Sequence, residues 1–203
     1  MSALAHGFRF GAVLAVGAGA VGAVLALAGC GSSAAPQTQI QTTTSAGSAG
    51  SQSAPDAPPD PHTLLRAGAL ALAQVPDSAL IFIESQTDDA GTWKVQVVTS
   101  DGTEQELKIG SDGVAVLVGP TPTNDNGADK AKRLAIVQAP HPDYRAAVDK
   151  TLAAVPSGSI TELNLRDVNG AVAWHAQVWD TYLVQHRVIV DGASGEVTSN
   201  QQV

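Results

Sequence analysis

Apolar residues recur every three or four positions in two stretches of the chain, which is the spacing of one face of an α-helix. The residues are Leu65, Ala69, Leu72 and Val75 in the first stretch and Tyr144, Val148, Leu152 and Val155 in the second. Pro61 and Pro142 stand where the first turn of a helix tolerates proline, and a second proline follows each stretch. Both stretches are therefore predicted to be helices.

Each predicted helix is followed by four runs in which apolar and polar residues tend to alternate, as they do in half-buried β-strands. The predicted strands are 80–84, 92–98, 106–109, 114–118, 160–166, 172–179, 183–190 and 196–199. Turn sequences such as Asp101-Gly102 and Asn169-Gly170 separate them. A further helix is predicted at 129–138, between the two groups of strands.

Landmark residues in the two groups recur at a nearly constant spacing. Trp93 recurs as Trp174 and Gly113 as Gly195, and across five such pairs the offset is 80 to 82 residues. A constant offset indicates an internal duplication. The predicted fold class is therefore α+β, with two tandem repeats that each pack one helix on a small antiparallel β-meander sheet.

The start of the chain has the features of a bacterial secretion signal that ends in a lipidation site. Arg9 precedes an uncharged run, and Leu27-Ala28-Gly29-Cys30 resembles a lipobox, in which signal peptidase cuts before the cysteine and the sulfur carries a diacylglycerol. The alternative is an uncleaved transmembrane anchor, because the run approaches the ~20 residues that span a bilayer. Four glycines in the run favour cleavage. Cys30 is the predicted attachment site for acyl chains such as palmitate.

Composition divides the rest of the chain. Residues 30–60 are rich in Ser, Thr, Ala, Gln and Pro and are predicted to be a disordered tether. The predicted organisation is a signal peptide at 1–29, the tether at 30–60, one repeat at 61–121, a connecting segment at 122–141 and a second repeat at 142–203. The predicted location is the extracytoplasmic face of a cell membrane, and the Ala-, Val- and Gly-rich composition is associated with actinobacteria.

The charge of the chain argues against nucleic acid as a partner. The sequence has 11 Lys plus Arg and 19 Asp plus Glu; loss of Arg9 with the signal leaves 10 against 19, a net charge of −9. An acidic chain without a basic stripe binds phosphate backbones poorly. Because Cys30 is the only cysteine, an intramolecular disulfide is impossible.

The end of the chain resembles the PepSY domain, a module of protease propeptides and bacterial envelope proteins. The stretch that carries the resemblance is 188–197, Val-Ile-Val-Asp-Gly-Ala-Ser-Gly-Glu-Val, which is similar to that family's closing hairpin. The tandem layout is also similar to that of the β-lactamase-inhibitor protein. These resemblances imply protein or peptide binding, with modulation of a peptidase as the specific version. They imply no catalytic residue and no cofactor.

Candidate chemistry is sparse. His175 and His186 would face each other across a hairpin with a two-residue turn at 180–181, but a three-residue loop would place His175 opposite Arg187. The apolar pattern favours the second register, so no metal site is predicted. Acidic and amide residues near 125–129 and 167–170 are interpreted as turns rather than calcium loops. No nucleophile motif is present, and the prediction is that the protein is not an enzyme.

Two aromatic residues are the candidate binding site. Trp179 and Tyr182 flank the predicted turn of the second unit, and exposed aromatics at a hairpin tip are typical interface anchors. The basic residues Lys130, Lys132 and Arg133 are interpreted as a solvated helix face, with a patch for an acidic partner as the alternative. The function expected is a lipid-anchored envelope protein that binds a protein or peptide. The alternative is a carrier or sensor of a small apolar ligand held between helix and sheet.

Overall fold

The structure, a computed structural model, describes residues 58–203, which form three helices and eight strands. Cys30, residues 1–29 and the predicted tether up to residue 57 lie outside the described residues. The helices are α1 Pro61–Gln74, α2 Gly127–Gln138 and α3 Tyr144–Ala154. The strands are β1 Ser78–Gln86, β2 Thr92–Thr99, β3 Glu104–Ile109, β4 Val116–Pro122, β5 Ser159–Val168, β6 Ala171–Trp179, β7 Gln185–Asp191 and β8 Val197–Gln202.

All eight strands belong to one antiparallel sheet in the order β4-β3-β2-β1-β5-β6-β7-β8. Hairpins connect the four strands on each side, and the two sides meet where β1 pairs with β5. In that central ladder Phe82 lies opposite Asn164, and Ile83 lies opposite Leu163. The sheet therefore continues without a break through the point where the sequence suggested a boundary.

The predicted fold class, two tandem repeats each with its own small sheet, is wrong. The sequence correctly indicated a helix followed by four strands in each half of the chain. In two separate meander sheets, however, the first strand of each half would lie at a sheet edge. An unpaired edge presents rows of backbone N–H and C=O groups that need partners. Pairing between β1 and β5 satisfies those groups, so the two groups form one eight-stranded sheet.

Aspartate side chains cap the two helices of the core. The Asp60 carboxylate accepts from the backbone N–H of His62, and Pro61 begins α1 as predicted. Asp143 accepts from the N–H of Ala146, so α3 begins at Tyr144. Pro142 lies just before this cap, outside the helix. Both aspartates satisfy backbone donors that the first turn of a helix leaves free.

One face of the sheet carries the core. Helix α1 contacts β1, β2, β3 and β5, and α3 contacts β5, β7 and β8. The two helices meet where the hydroxyl of Tyr144 donates to the carbonyl of Leu65, 3.2 Å away. The largest fully buried side chains include Trp93, Trp174, Leu64, Ile83, Leu107, Ile109, Ile160 and Leu163. Residues from both halves of the chain thus form a single core.

Helix α2 lies at one end of the sheet, where it contacts β2 and β5 and where its Ile136 packs against the core. Its Arg133 reaches Glu104 at 2.8 Å and Asp125 at 2.7 Å, and all three side chains are mostly buried. Glu104 stands beside Val98 on the face turned away from the core, because their neighbours Gln105 and Val97 point the other way. The ion pairs therefore fasten the connecting segment to the sheet.

Candidate functional site

The sheet surface turned away from α1 and α3 is called the polar face. On each strand its residues alternate with those of the core. They include Glu84, Lys94, Gln96, Glu106, Lys108, Glu162, Asn164, His175, Gln177 and Arg187. The strands thus present charged and amide side chains on one side and apolar ones on the other.

A hollow of about 520 Å³ opens on the polar face over β5 to β8. The side chains that give it its chemistry are Glu162, Arg166, His175, Gln177, Arg187 and Gln201. This lining differs from the Leu and Val cavity between helix and sheet that a carrier of an apolar ligand would need. We call it the polar hollow.

Glu162 and Gln177 form the ordered floor of the polar hollow. Glu162 is buried, and its carboxylate accepts from Asn164 and Arg166, each at 3.4 Å, and from the amide of Gln177. The Gln177 carbonyl in turn accepts from the amide of Gln185 at 2.6 Å. Because both ends of the Gln177 amide are bonded, its orientation and that of Glu162 are set before any ligand arrives.

His175 lies between two arginines. Arg166 is opposite Ala173 and Arg187 is opposite Gln177, the two polar-face neighbours of His175 on β6. Burial lowers the pKa of His175 below its ordinary value, and the charges of Arg166 and Arg187 lower it further. The imidazole is therefore biased towards its neutral form, and both guanidinium groups are close enough to act on it.

Neither hairpin register weighed for the two histidines is observed. The loop between β6 and β7 has five residues, 180–184, so His175 lies opposite Ile189 and His186 lies opposite Val178. The histidines consequently point to different faces of the sheet. Within residues 58–203 no group of three or more His, Cys, Asp or Glu side chains is placed to hold a metal ion.

The β6–β7 loop is a hydrogen-bonded tip with two exposed apolar side chains. The Asp180 carboxylate accepts from the backbone N–H of Val184 and Tyr182 and contacts His186 at 3.3 Å, and these partners lower the pKa of Asp180. Tyr182 is 86% exposed and Leu183 is 52% exposed. Leu183 has φ of 59°, a left-handed conformation that is strained for a branched residue. The loop thus holds Tyr182 and Leu183 outward.

The two predicted binding residues differ in exposure. Tyr182 is exposed as expected, but Trp179 is only 7% exposed, so the expectation of an exposed Trp179 is wrong. Its position on β6 places it on the polar face beside Gln185, within the ladder rather than in the loop. The indole N–H of Trp179 is buried and donates to no acceptor in the described part of the chain. Whether either residue binds a partner stays a prediction.

Two of the three basic residues of α2, Lys130 and Arg133, pair with other side chains of the protein. Lys130 contacts Asp101 at 3.1 Å and Thr103 at 2.6 Å, and Arg133 bridges Glu104 and Asp125. The amide of Asn126, near one suspected calcium loop, caps α2 through the N–H groups that follow it. These contacts support structural roles for this cluster.

Sequence reasoning missed Arg166 and Arg187 as members of a site. The available signal was their alternation with apolar residues on two predicted strands, which puts both on the polar face. Their proximity depends on the register of β5, β6 and β7, which brings Arg166 opposite Ala173 and Arg187 opposite Gln177.

Comparison with known proteins leaves the family of the chain open. No protein-family model matches it, and no curated protein matches its sequence. A solved structure described as a "putative lipoprotein" from Clostridium difficile 630 is 16% identical, with a TM-score of 0.43 over 66% of this chain and 89% of that one. A likeness this distant supports no argument about function or location. In residues 58–203 no helix is long and apolar enough to cross a membrane.

Proposed function

We propose that this protein is a lipid-anchored component of the cell envelope that binds another protein or a peptide through the β6–β7 hairpin and the polar face. One observation carries the proposal. The same hairpin bears His175, Gln177 and Arg187 in the polar hollow and Tyr182 and Leu183 at its exposed tip. A hydrogen-bonded apolar tip beside a polar recess supplies the two kinds of contact found in protein interfaces.

The tip has the properties of an interface anchor. Tyrosine gives a large contact area with few rotatable bonds, and hot spots of interfaces are enriched in it. Because Asp180 already orders the loop, fixing its two neighbouring exposed apolar side chains against a partner loses little further conformational entropy. The strained backbone of Leu183 supports a functional reason for this loop, since such strain clusters at binding sites.

The anchor is proposed from the sequence alone. A signal-like leader and a lipobox coincide at Cys30, and the tether that follows would hold the sheet away from the lipid surface on the extracytoplasmic side. The partner is accordingly proposed to be an envelope protein or peptide. Modulation of a peptidase rests only on the resemblance to the PepSY domain.

We propose a binding role rather than catalysis. The polar hollow includes His175 as a possible base, but no Ser, Thr or Cys lines it within the described residues. The carboxylate of Glu162 is held by three donors on the hollow floor. Nucleophilic catalysis needs a hydroxyl, thiol or amine in register with a base. The recess therefore favours holding a ligand over transforming one.

Site-specific photocrosslinking in the producing bacterium tests the proposal. The full chain carries p-benzoyl-phenylalanine in place of Tyr182 or, as a matched control, in place of Ser194. Ser194 is also exposed but lies in the β7–β8 turn at the opposite end of the sheet. We expect a discrete adduct from position 182 and none of that mass from position 194. Failure to form an adduct at 182, or equal adducts at both positions, would refute binding at the tip.

A further inference from the structure

Two arginines share the polar hollow of a strongly acidic chain. The sequence has 11 Lys plus Arg against 19 Asp plus Glu, yet Arg166 and Arg187 both line this recess. Arg187 is half-buried, and its guanidinium group makes no hydrogen bond or ion pair with any residue in the range 58–203. A guanidinium group carries five N–H donors. In the described residues those of Arg187 stay open to solvent at the hollow, so a ligand with acceptor oxygens can reach them.

We propose that the polar hollow binds a carboxylate group of the partner peptide or protein, with Arg187 as the main ligand and Arg166 and His175 beside it. The planar fork of a guanidinium matches the two oxygens of a carboxylate. Gln201 adds a side-chain amide at the rim, and Ile189 supplies an apolar wall for the chain that bears the carboxylate. This inference rests on the proposed function and specifies the chemistry that the partner brings to the site.

The charges in the hollow favour a monoanion. Arg166 and Arg187 supply two positive charges, while Glu162 supplies one negative charge and already contacts Arg166 at 3.4 Å. The net charge of the lining is therefore one positive with His175 neutral. A doubly charged phosphate would meet Glu162 without a second free cation, whereas a single carboxylate is matched by Arg187. Phosphate is thus the weaker of the two oxyanions.

Protonation of His175 couples the site to pH. The charged groups that face it are Glu162 and Arg166 from β5 and Arg187 from β7, while β8 contributes the neutral Gln201. Bringing in a carboxylate adds negative charge next to the imidazole and raises its pKa. Binding therefore takes up protons, and the affinity rises as the pH falls through the range in which His175 titrates.

The test is a titration of the full chain, held in non-ionic detergent, with two peptides. The probe is acetyl-Ala-Ala-Ala with a free carboxyl terminus, the neutral control is the same peptide as an amide, and a third arm uses inorganic phosphate. The imidazole proton signals in NMR spectra report occupancy, with His175→Gln identifying the relevant signal. Added chloride salt keeps the ionic strength the same in all three arms of the titration.

We expect the peptide with a free carboxylate to bind at least tenfold more tightly than its amide. Arg187→Gln should weaken binding of the carboxylate peptide about tenfold, which corresponds to the loss of one charge-assisted hydrogen bond. Arg187→Lys should recover part of the affinity. Arg145→Gln is the matched control, because Arg145 lies over the ring of Tyr144 on α3, remote from the hollow. In His175→Gln, binding should persist but lose its pH dependence between pH 5 and 7.5.

Equal binding of the acid and the amide, or equal effects of Arg187→Gln and Arg145→Gln, would overturn the carboxylate site. Tighter binding of phosphate than of the peptide would overturn the monoanion assignment. These failures are separable from failure of the proposed function. A crosslink at position 182 that survives Arg187→Gln would leave the binding role standing without this site. If the titration shows carboxylate binding that depends on Arg187 but position 182 gives no crosslink, the carboxylate site stands and the proposed partner does not.

Discussion

The indole N–H of Trp174 donates to the backbone carbonyl of Pro142, with 2.8 Å between nitrogen and oxygen. This bond joins the chain just before α3 to strand β6. Trp93 makes the related contact in the first half, where its indole N–H lies 3.4 Å from the carbonyl of Ser111. Both indoles are fully buried, so the bonds hold loop segments against the core.

Replacing Trp174 with Phe should destabilise the protein more than the same change at Trp179. Trp174→Phe removes a buried hydrogen bond and leaves the carbonyl of Pro142 without that donor. The indole N–H of Trp179, in contrast, has no acceptor among residues 58–203 to lose. We expect a difference of about 1–3 kcal/mol in the free energy of unfolding. Urea denaturation measures it, and equal losses would show that the bond contributes nothing.

Gly68→Ala should destabilise the protein even though alanine is the better helix former. A Cβ at Gly68 would lie 2.7 Å from the buried ring of Tyr144, where α1 meets α3. The helix propensity gain is about 1 kcal/mol, and overpacking in a core costs about 1–3 kcal/mol. Gly127→Ala is the control, because apart from its chain neighbours and the backbone of α2 no atom of the described residues lies within 4 Å of its Cβ position. Calorimetry should show a lower Tm only for Gly68→Ala.

Arg133→Met should lower stability at neutral pH and have less effect in acid. Hydrogen bonding to Arg133 is the main cause of the lowered pKa of Asp125. A carboxyl whose pKa is lower in the folded than in the unfolded protein stabilises the fold when the pH is above its unfolded pKa, about 3.9. That stabilisation is lost as the pH falls through the pKa that the carboxyl has in the folded protein. Lys132→Met removes the same charge from α2 without an ion pair and serves as the control. A deficit in Tm that stays constant from pH 7 to pH 3 would contradict this account.

Leu183→Gly should stabilise the fold and weaken partner binding. Glycine adopts the φ of 59° without strain, and Leu183 is half-exposed, so we expect a gain of up to about 1 kcal/mol after the entropy of glycine is subtracted. Ala90→Gly relieves a similar strain, φ of 53°, in the β1–β2 turn and should leave binding unchanged. The measurements are urea midpoints and the yield of the crosslink from position 182. Unchanged yield in Leu183→Gly would remove Leu183 from the interface.

Cys30→Ser should abolish lipidation. The lipobox prediction requires the sulfur of Cys30 as the acyl acceptor, and serine cannot replace it in this reaction. Metabolic labelling with an alkyne fatty acid measures the attachment. Label that persists in Cys30→Ser would disprove the assignment and leave the uncleaved anchor as the alternative.

Local pattern predicted the elements well, because helix and strand periodicities are written in consecutive residues. All eight strands lie within a few residues of their predicted positions, and α2 begins at Gly127 rather than at 129. The prediction failed on how the two groups of four strands are joined. Pairing of Phe82 with Asn164 links residues 82 positions apart in the chain, and nothing local marks that partnership.

The candidate site was predictable only in part. Tyr182 adjoins the predicted turn, so its exposure could be inferred from sequence, and it is exposed. Trp179 is the last residue of β6, where the ladder and its neighbours bury it. The difference between the two residues lies in the five-residue loop, whose length was misjudged.

By itself the sequence determined the secondary structure, the acidic charge and the candidate lipid anchor at Cys30, because each depends on residues close together in the chain. Only the tertiary structure decided that the two groups of strands form one sheet and that Arg166, His175 and Arg187 share a hollow. The physical reason is strand register. A shift of one residue moves every side chain to the other face of a sheet, and register is set by pairing across the whole fold.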